Sequence, residues 1–265
     1  MTSHDPIQIS EHELKSMTSD LEDMHHESMP DVYASVAEWV ERTDVGRVGR
    51  FSTSRRGFLA GTGVALGAAV LAACGSSSSK SSQTTSAGST GSTGGSSANQ
   101  DIQIAALATS LENLAIATYA SGIAAATAGK LGKVPPAVVT FAQTAQSQHK
   151  DHAAAWNAII VGAGQPKVTG VDTTVKTAVV DPAFAKVTDV AGLAKLALQL
   201  EQVAAATYLD SISLIKSNGG IATSASIHPV EMQHAAILNF VLGNYPVPQS
   251  FASTDGARTL SDKVG

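Results

Sequence analysis

Leu111-Glu112-Asn113-Leu114-Ala115-Ile116-Ala117-Thr118-Tyr119 returns 89 residues later as Leu200-Glu201-Gln202-Val203-Ala204-Ala205-Ala206-Thr207-Tyr208. Apolar residues recur at three- and four-residue steps in both copies, so each reads as a helix. In each, a glutamate and a tyrosine stand seven residues apart, two turns along one face. A second pair, Gln146-Ser147-Gln148-His149 and Glu231-Met232-Gln233-His234, repeats after 85 residues. Repetition of this kind predicts two related helical hairpins about a pseudo-two-fold axis.

Working outward, four helical segments are expected. The first covers about 101–128 and stops near Gly129. The second covers about 136–161, opened by Pro135-Pro136 and closed before Gly162 and Gly164. The third covers about 189–217, with Asp189 as N-cap and Asn218-Gly219-Gly220 as stop. The fourth ends near Gly243, and Pro229 either opens it or kinks a helix begun near Ala222. Short turns join the first two segments and the last two. Gln165 to Thr188 forms a long crossover between helices 2 and 3. The expected fold is therefore all-α, a four-helix bundle with ferritin-like wiring.

The rest of the 265-residue chain is organised differently. Residues 1–50 hold eleven Asp/Glu against four Lys/Arg and read as an acidic extension, disordered or forming a short helix. Asp31 to Val48 would place Val32, Val36, Trp39 and Val40 on one side of such a helix, and His25 and His26 would lie in a solvated segment. Ser54-Arg55-Arg56-Gly57-Phe58-Leu59-Ala60 resembles a twin-arginine export motif, and Leu71-Ala72-Ala73-Cys74 resembles a lipobox. Residues 51–74 would then be an export signal ending at a lipid-modified Cys74, the chain's single cysteine. The resemblance implies passage through the twin-arginine translocase and anchoring on the outer face of the cell membrane. An uncleaved anchor, or cleavage near Ala73 with Cys74 incidental, are the alternatives. Residues 75–99 are almost all Ser, Thr and Gly, a flexible tether with a reach of about 25–30 Å. Residues 246–265 form a tail, an irregular strap or disordered.

From Cys74 onward, acids and bases number eleven each, so composition gives no reason to expect nucleic acid as partner. No phosphate loop, nucleophile elbow or Cys–His pair is present, and no catalytic residue is assigned. What stands out is that this part has only three glutamates, Glu112, Glu201 and Glu231, each within an apolar helical stripe. A buried carboxylate is costly unless paired or bound to metal. Glu231-x-x-His234 sets a carboxylate and an imidazole on adjacent positions of one face.

Residues 100–245 resemble the ferritin-like superfamily, near its exported bacterial members. That resemblance implies iron or manganese held between the helices, for metal-dependent oxidation or protection from oxidative stress. Glu112 and Glu201 would be terminal ligands, His149 and His234 nitrogen ligands, and Glu231 a bridging carboxylate. Gln146 stands where the second bridge belongs. It brings no charge, so a dinuclear, mononuclear or metal-free site all stay open, as does a homodimer. His152 is expected outside the ligands or at the surface, and His228 in a loop. The competing reading is a metal-free envelope protein with a structural, protective or interaction role.

Overall fold

The computed structural model describes residues 9–42 and 93–260. Arg55, Arg56, Cys74 and most of the linker lie outside these residues, as does the end of the tail. The described residues form long helices without a strand. We label them α1 (Glu11–Arg42), α2 (Thr93–Thr127), α3 (Pro136–Gly162), α4 (Val190–Leu214) and α5 (Asn218–Val241). Helices α2 and α3 pack as one hairpin, α4 and α5 as the other, and α2 also meets α4. The two-hairpin bundle with a long crossover is thus present.

Several boundaries follow local chemistry. Pro135 precedes α3, with Pro136 in its first turn. Asp189 caps α4 by accepting from the Gly192 amide at 2.7 Å. Other boundaries differ from expectation. Helix α2 begins at Thr93, inside the Ser/Gly-rich stretch. Asn218-Gly219-Gly220 does not stop α4 but opens α5, because Ser217 caps that helix through the Gly220 amide at 3.2 Å. Pro229 and His228 therefore lie inside α5, and His228 Nδ1 faces the Ala205 carbonyl at 2.9 Å. The crossover is not featureless. Asp172 caps a short helical turn at Thr173–Val175, a π-turn covers Lys176–Val180, and another turn covers Asp181–Phe184. The tail runs as an irregular strap, tied down where the Arg258 amide donates to Thr207 Oγ1 and its guanidinium meets Asp172.

The largest correction concerns the N-terminal extension. Within its described residues, 9–42, it is neither disordered nor short but forms a 32-residue helix, α1. Ser10 and Glu13 close its start as a reciprocal capping box, with Ser10 N–H donating to Glu13 at 3.0 Å and Glu13 N–H donating to Ser10 Oγ at 3.2 Å. Buried residues recur along one stripe: Leu14, Thr18, Leu21, His25, Met29, Val32, Val36 and Trp39. This stripe lies over the seam between α3 and α5, which themselves barely touch. Met29, Val32, Val36 and Trp39 pack with Trp156, Ile159, Ile160 and Ile227, while Leu14 and Leu21 pack with Phe141 and Leu238. Removing each such side chain from water contributes about 1.5–3 kcal/mol, which is why an acidic segment orders here. Two glycines admit the helix. A Cβ on Gly162 would stand 2.4 Å from Val40 Cγ2, and one on Gly219 would stand 2.6 Å from the Ser35 carbonyl oxygen.

Candidate metal centre

The repeated glutamates face each other across the bundle. Glu112 on α2 and Glu201 on α4 are each 1% exposed, and Glu231 on α5 is fully buried. Three imidazoles meet them: His149 and His152 from α3, and His234 from α5, all likewise buried. His149 Nδ1 lies 2.7 Å from Glu112 and its Nε2 lies 3.3 Å from Glu201. His152 Nδ1 is 2.9 Å from Glu231 Oε1, and His234 Nδ1 is 3.3 Å from Glu201 and 3.6 Å from Glu231. On the outer side, His234 Nε2 meets Gln148 Oε1 at 2.8 Å. The tyrosines of the repeat cross over. Tyr119 donates to Glu201 and Tyr208 donates to Glu112, while Trp156 Nε1 donates to the Tyr208 hydroxyl oxygen at 3.0 Å.

These ligand atoms form two overlapping tetrads. Glu112, His149, His152 and Glu231 make one; His149, Glu201, Glu231 and His234 make the other, and within each the atoms lie within 4.8 Å of one another. His149 and Glu231 belong to both. Five of the six expected ligands therefore converge, and the sixth does not. Gln146 turns away, its amide donating to the Ile116 carbonyl and its oxygen accepting from Lys150. His149 takes the place expected of Gln146, and His152, expected outside, takes the one expected of His149. The physical reason is register. The partner of Glu231-x-x-His234 is His149-x-x-His152, one turn further along α3 than the Gln146 alignment puts it. The shared x-x-His spacing carried that signal, but the carboxylate was sought where an imidazole stands.

The electrostatics are those of a charge-balanced interior. Burial works against the Glu112 charge, but His152 and His149 outweigh it and hold the carboxyl at about 2. Burial likewise opposes the Glu201 charge, yet His149 and His234 keep that carboxyl well below its usual range. Burial would neutralise the imidazoles too. Glu231 and Glu201 instead lift His149 well above its ordinary value, and Glu112 with Glu231 lifts His152 to about 9. His234 is raised as well, despite its burial, chiefly by Glu201. Burial and the facing carboxylates push both tyrosine hydroxyls well up, so they stay protonated donors. The raised imidazoles and lowered carboxylates thus favour charge pairing where a cation would neutralise the same carboxylates.

One set of atoms is left over. Among the described residues, the buried side-chain polar atoms without a hydrogen-bond partner are His25 Nε2, both ring nitrogens of His152, and both carboxylate oxygens of Glu231. All belong to this cluster or its rim. Leaving a buried polar atom unpaired costs about 1–3 kcal/mol. A metal ion is the ligand that suits a set of imidazole nitrogens and carboxylate oxygens at this spacing. His25 was expected in a solvated segment; it is 3% exposed, and burial first, then His152, hold its imidazole down at about 3. His26 does stay in solvent. None of the helices among the described residues is long and apolar enough to cross a membrane.

A profile of the ferritin-like domain matches residues 100–244, more than half of the chain. Comparison with curated proteins and with solved structures returned no match. The match covers α2 from residue 100 onward, all of α3, α4 and α5, and every convergent carboxylate and imidazole on them, and leaves α1 outside. The chain belongs to the ferritin-like domain family.

Proposed function

We propose that this protein binds a redox-active transition metal, iron or manganese, in the cluster of Glu112, His149, His152, Glu201, Glu231 and His234. The observation that carries this is the convergence of these carboxylates and imidazoles into two overlapping tetrads of ligand atoms within 4.8 Å, in which Glu231 makes ion-pair contacts but no well-formed hydrogen bond. A bound iron or manganese ion would supply one-electron chemistry toward oxygen or peroxide. The protein's own contribution is to fix the donors. Tyr119 and Tyr208 hold Glu201 and Glu112, and Gln148 accepts from His234 Nε2 so that Nδ1 faces inward. Three carboxylates with three neutral imidazoles favour one ion or an asymmetric pair over a symmetric di-iron centre. His149 stands where the symmetric centre has its second bridging carboxylate, and a neutral imidazole offers one lone pair.

Metal analysis of protein purified from its native host tests this. We expect between one and two ions per chain, lost in Glu231→Ala. Less than about a tenth of an ion per chain, unchanged by that substitution, would sink the reading. One observation favours the second reading, a metal-free envelope protein. The raised imidazoles and lowered carboxylates already balance each other without an ion.

We also propose that the protein is exported and lipid-anchored. The support is the order of the Arg55-Arg56 pair and the Leu71-to-Cys74 lipobox. Helix α1 lies upstream of both, so cleavage before Cys74 would sever it from the bundle it packs on. Docking of α1 then belongs to the folded precursor, in keeping with a route that carries folded proteins.

A further inference from the structure

The docking stripe of α1 has one member that does not fit an apolar seam. Leu14, Leu21, Met29, Val32, Val36 and Trp39 are ordinary core residues at three-, four-, seven- and eight-residue steps. Thr18, the first polar member, is satisfied by its own helix, with Oγ1 donating to the Leu14 carbonyl at 2.7 Å. His25, the second, has no such relief. It is 3% exposed, and its Nε2 is buried without a hydrogen-bond partner. Its ring lies 5.4 Å, centre to centre, from that of His152, tilted by 50°. His152 Nδ1 faces Glu231 at 2.9 Å, and its Nε2 is also buried without a hydrogen-bond partner. Two imidazoles on one ion, at metal–nitrogen bonds of about 2.0–2.1 Å, bring their ring centres to about 4.5–5.5 Å. His149 and His234, both in the cluster, stand 5.1 Å apart by the same measure.

The seating of α1 is built into the bundle further along the helix, where Gly162 and Gly219 each lack the Cβ that would collide with Val40 and Ser35. One turn before His25, on the same face, the Leu21 carbonyl accepts from Gln148 Nε2 at 3.4 Å, and Gln148 is the group that orients His234. The N-terminal helix therefore meets the rim of the cluster at two points, through the Leu21 backbone oxygen at Gln148 and through the His25 imidazole, which stands beside His152 and outside both tetrads.

We infer that His25 is a ligand of the metal centre, a nitrogen donor for a divalent transition-metal cation alongside His152, so that a fifth helix completes the site. This rests on the metal reading of the four-helix cluster. It adds that the precursor and a chain cleaved before Cys74 would hold the ion differently, the second having lost a donor.

The test uses the full chain and cobalt(II) as probe, followed by its visible absorption and by titration. The variants are His25→Leu, His25→Gln and Glu231→Ala. His25→Leu places an apolar side chain in the stripe and keeps α1 seated, which protection of Lys15 from trypsin verifies. We expect His25→Leu to raise the cobalt dissociation constant by at least about 10-fold and to shift the absorption bands. His25→Gln should weaken binding less than His25→Leu, because its amide oxygen can still coordinate. Binding and spectrum unchanged in His25→Leu, with the parent binding cobalt and Glu231→Ala failing to, would overturn this inference and leave the metal reading intact. A parent chain that takes up no cobalt would overturn both.

Discussion

Tyr208 donates its hydroxyl proton to Glu112, 96 residues away in sequence and on the other hairpin. Tyr119 does the same to Glu201, so the repeat unit supplies a carboxylate to its own half and a donor to the opposite one. A buried carboxylate stripped of a donor loses about 1.5–3 kcal/mol. Tyr208→Phe and Tyr119→Phe should each lower the stability of the metal-free protein by that amount in urea unfolding. A Tyr208→Phe protein with the parent's midpoint would show that the hydroxyl does not support Glu112.

The convergent residues and the divergent one make opposite predictions for binding. Glu231→Ala and His152→Ala should weaken manganese(II) binding by more than about 100-fold, beyond what outer-shell partners usually command. Gln146→Ala should change it by no more than about twofold, as for a surface substitution. Isothermal titration reads both. A strong effect at Gln146 would restore the register in which it is a ligand.

The unfolding midpoints of metal-free and metal-loaded protein should diverge as pH rises. His152 titrates at about 9 in the folded chain against 6.5 ordinarily, so its contribution is complete below about 6.5 and is lost as pH rises through 9. Glu112 titrates at about 2 against 4.5, so its contribution is present above about 4.5 and is lost as pH falls through 2. In chelator, the unfolding midpoint should therefore fall between pH 6.5 and 9.5. With metal, the stabilisation over the chelator sample should grow across that range, because protons and metal compete for the same nitrogens. Parallel curves with and without metal would refute the competition.

Docking of α1 depends on two missing methyl groups. Gly219→Val and Gly162→Val should force α1 away from α5 and α3 at an overpacking cost of about 1–3 kcal/mol. Limited trypsin digestion should then cut at Lys15 at a rate that the parent resists. Equal protection in the variants would mean that α1 is not held at these contacts.

The export proposal has a mass-spectrometric answer. The envelope form should begin at a diacylglycerol-modified Cys74, and Arg55→Lys with Arg56→Lys should hold the chain in the cytoplasm. An envelope form that still carries Glu11 to Arg42 in the same chain would replace the cleaved lipoprotein with an uncleaved anchor.

The sequence by itself determined the two hairpins, their wiring and the three carboxylates. Helical periodicity and an internal repeat are local signals, and a glutamate in an apolar stripe is conspicuous wherever the chain later goes. Asp189 as a cap and Pro135-Pro136 as an opening were legible for the same reason: each acts within one turn. The tertiary structure decided what depends on facing elements. Which of Gln146 and His152 enters the site is a matter of rotation about α3, and one turn of register moves a ligand to the outside. Gly162 and Gly219 read as helix stops in the sequence, yet they stand where α1 needs room. The acidic composition of residues 1–50 described the solvent face of α1. Its buried face became visible only beside α3 and α5, and His25 acquired a meaning there because His152, 127 positions away, lies across from it.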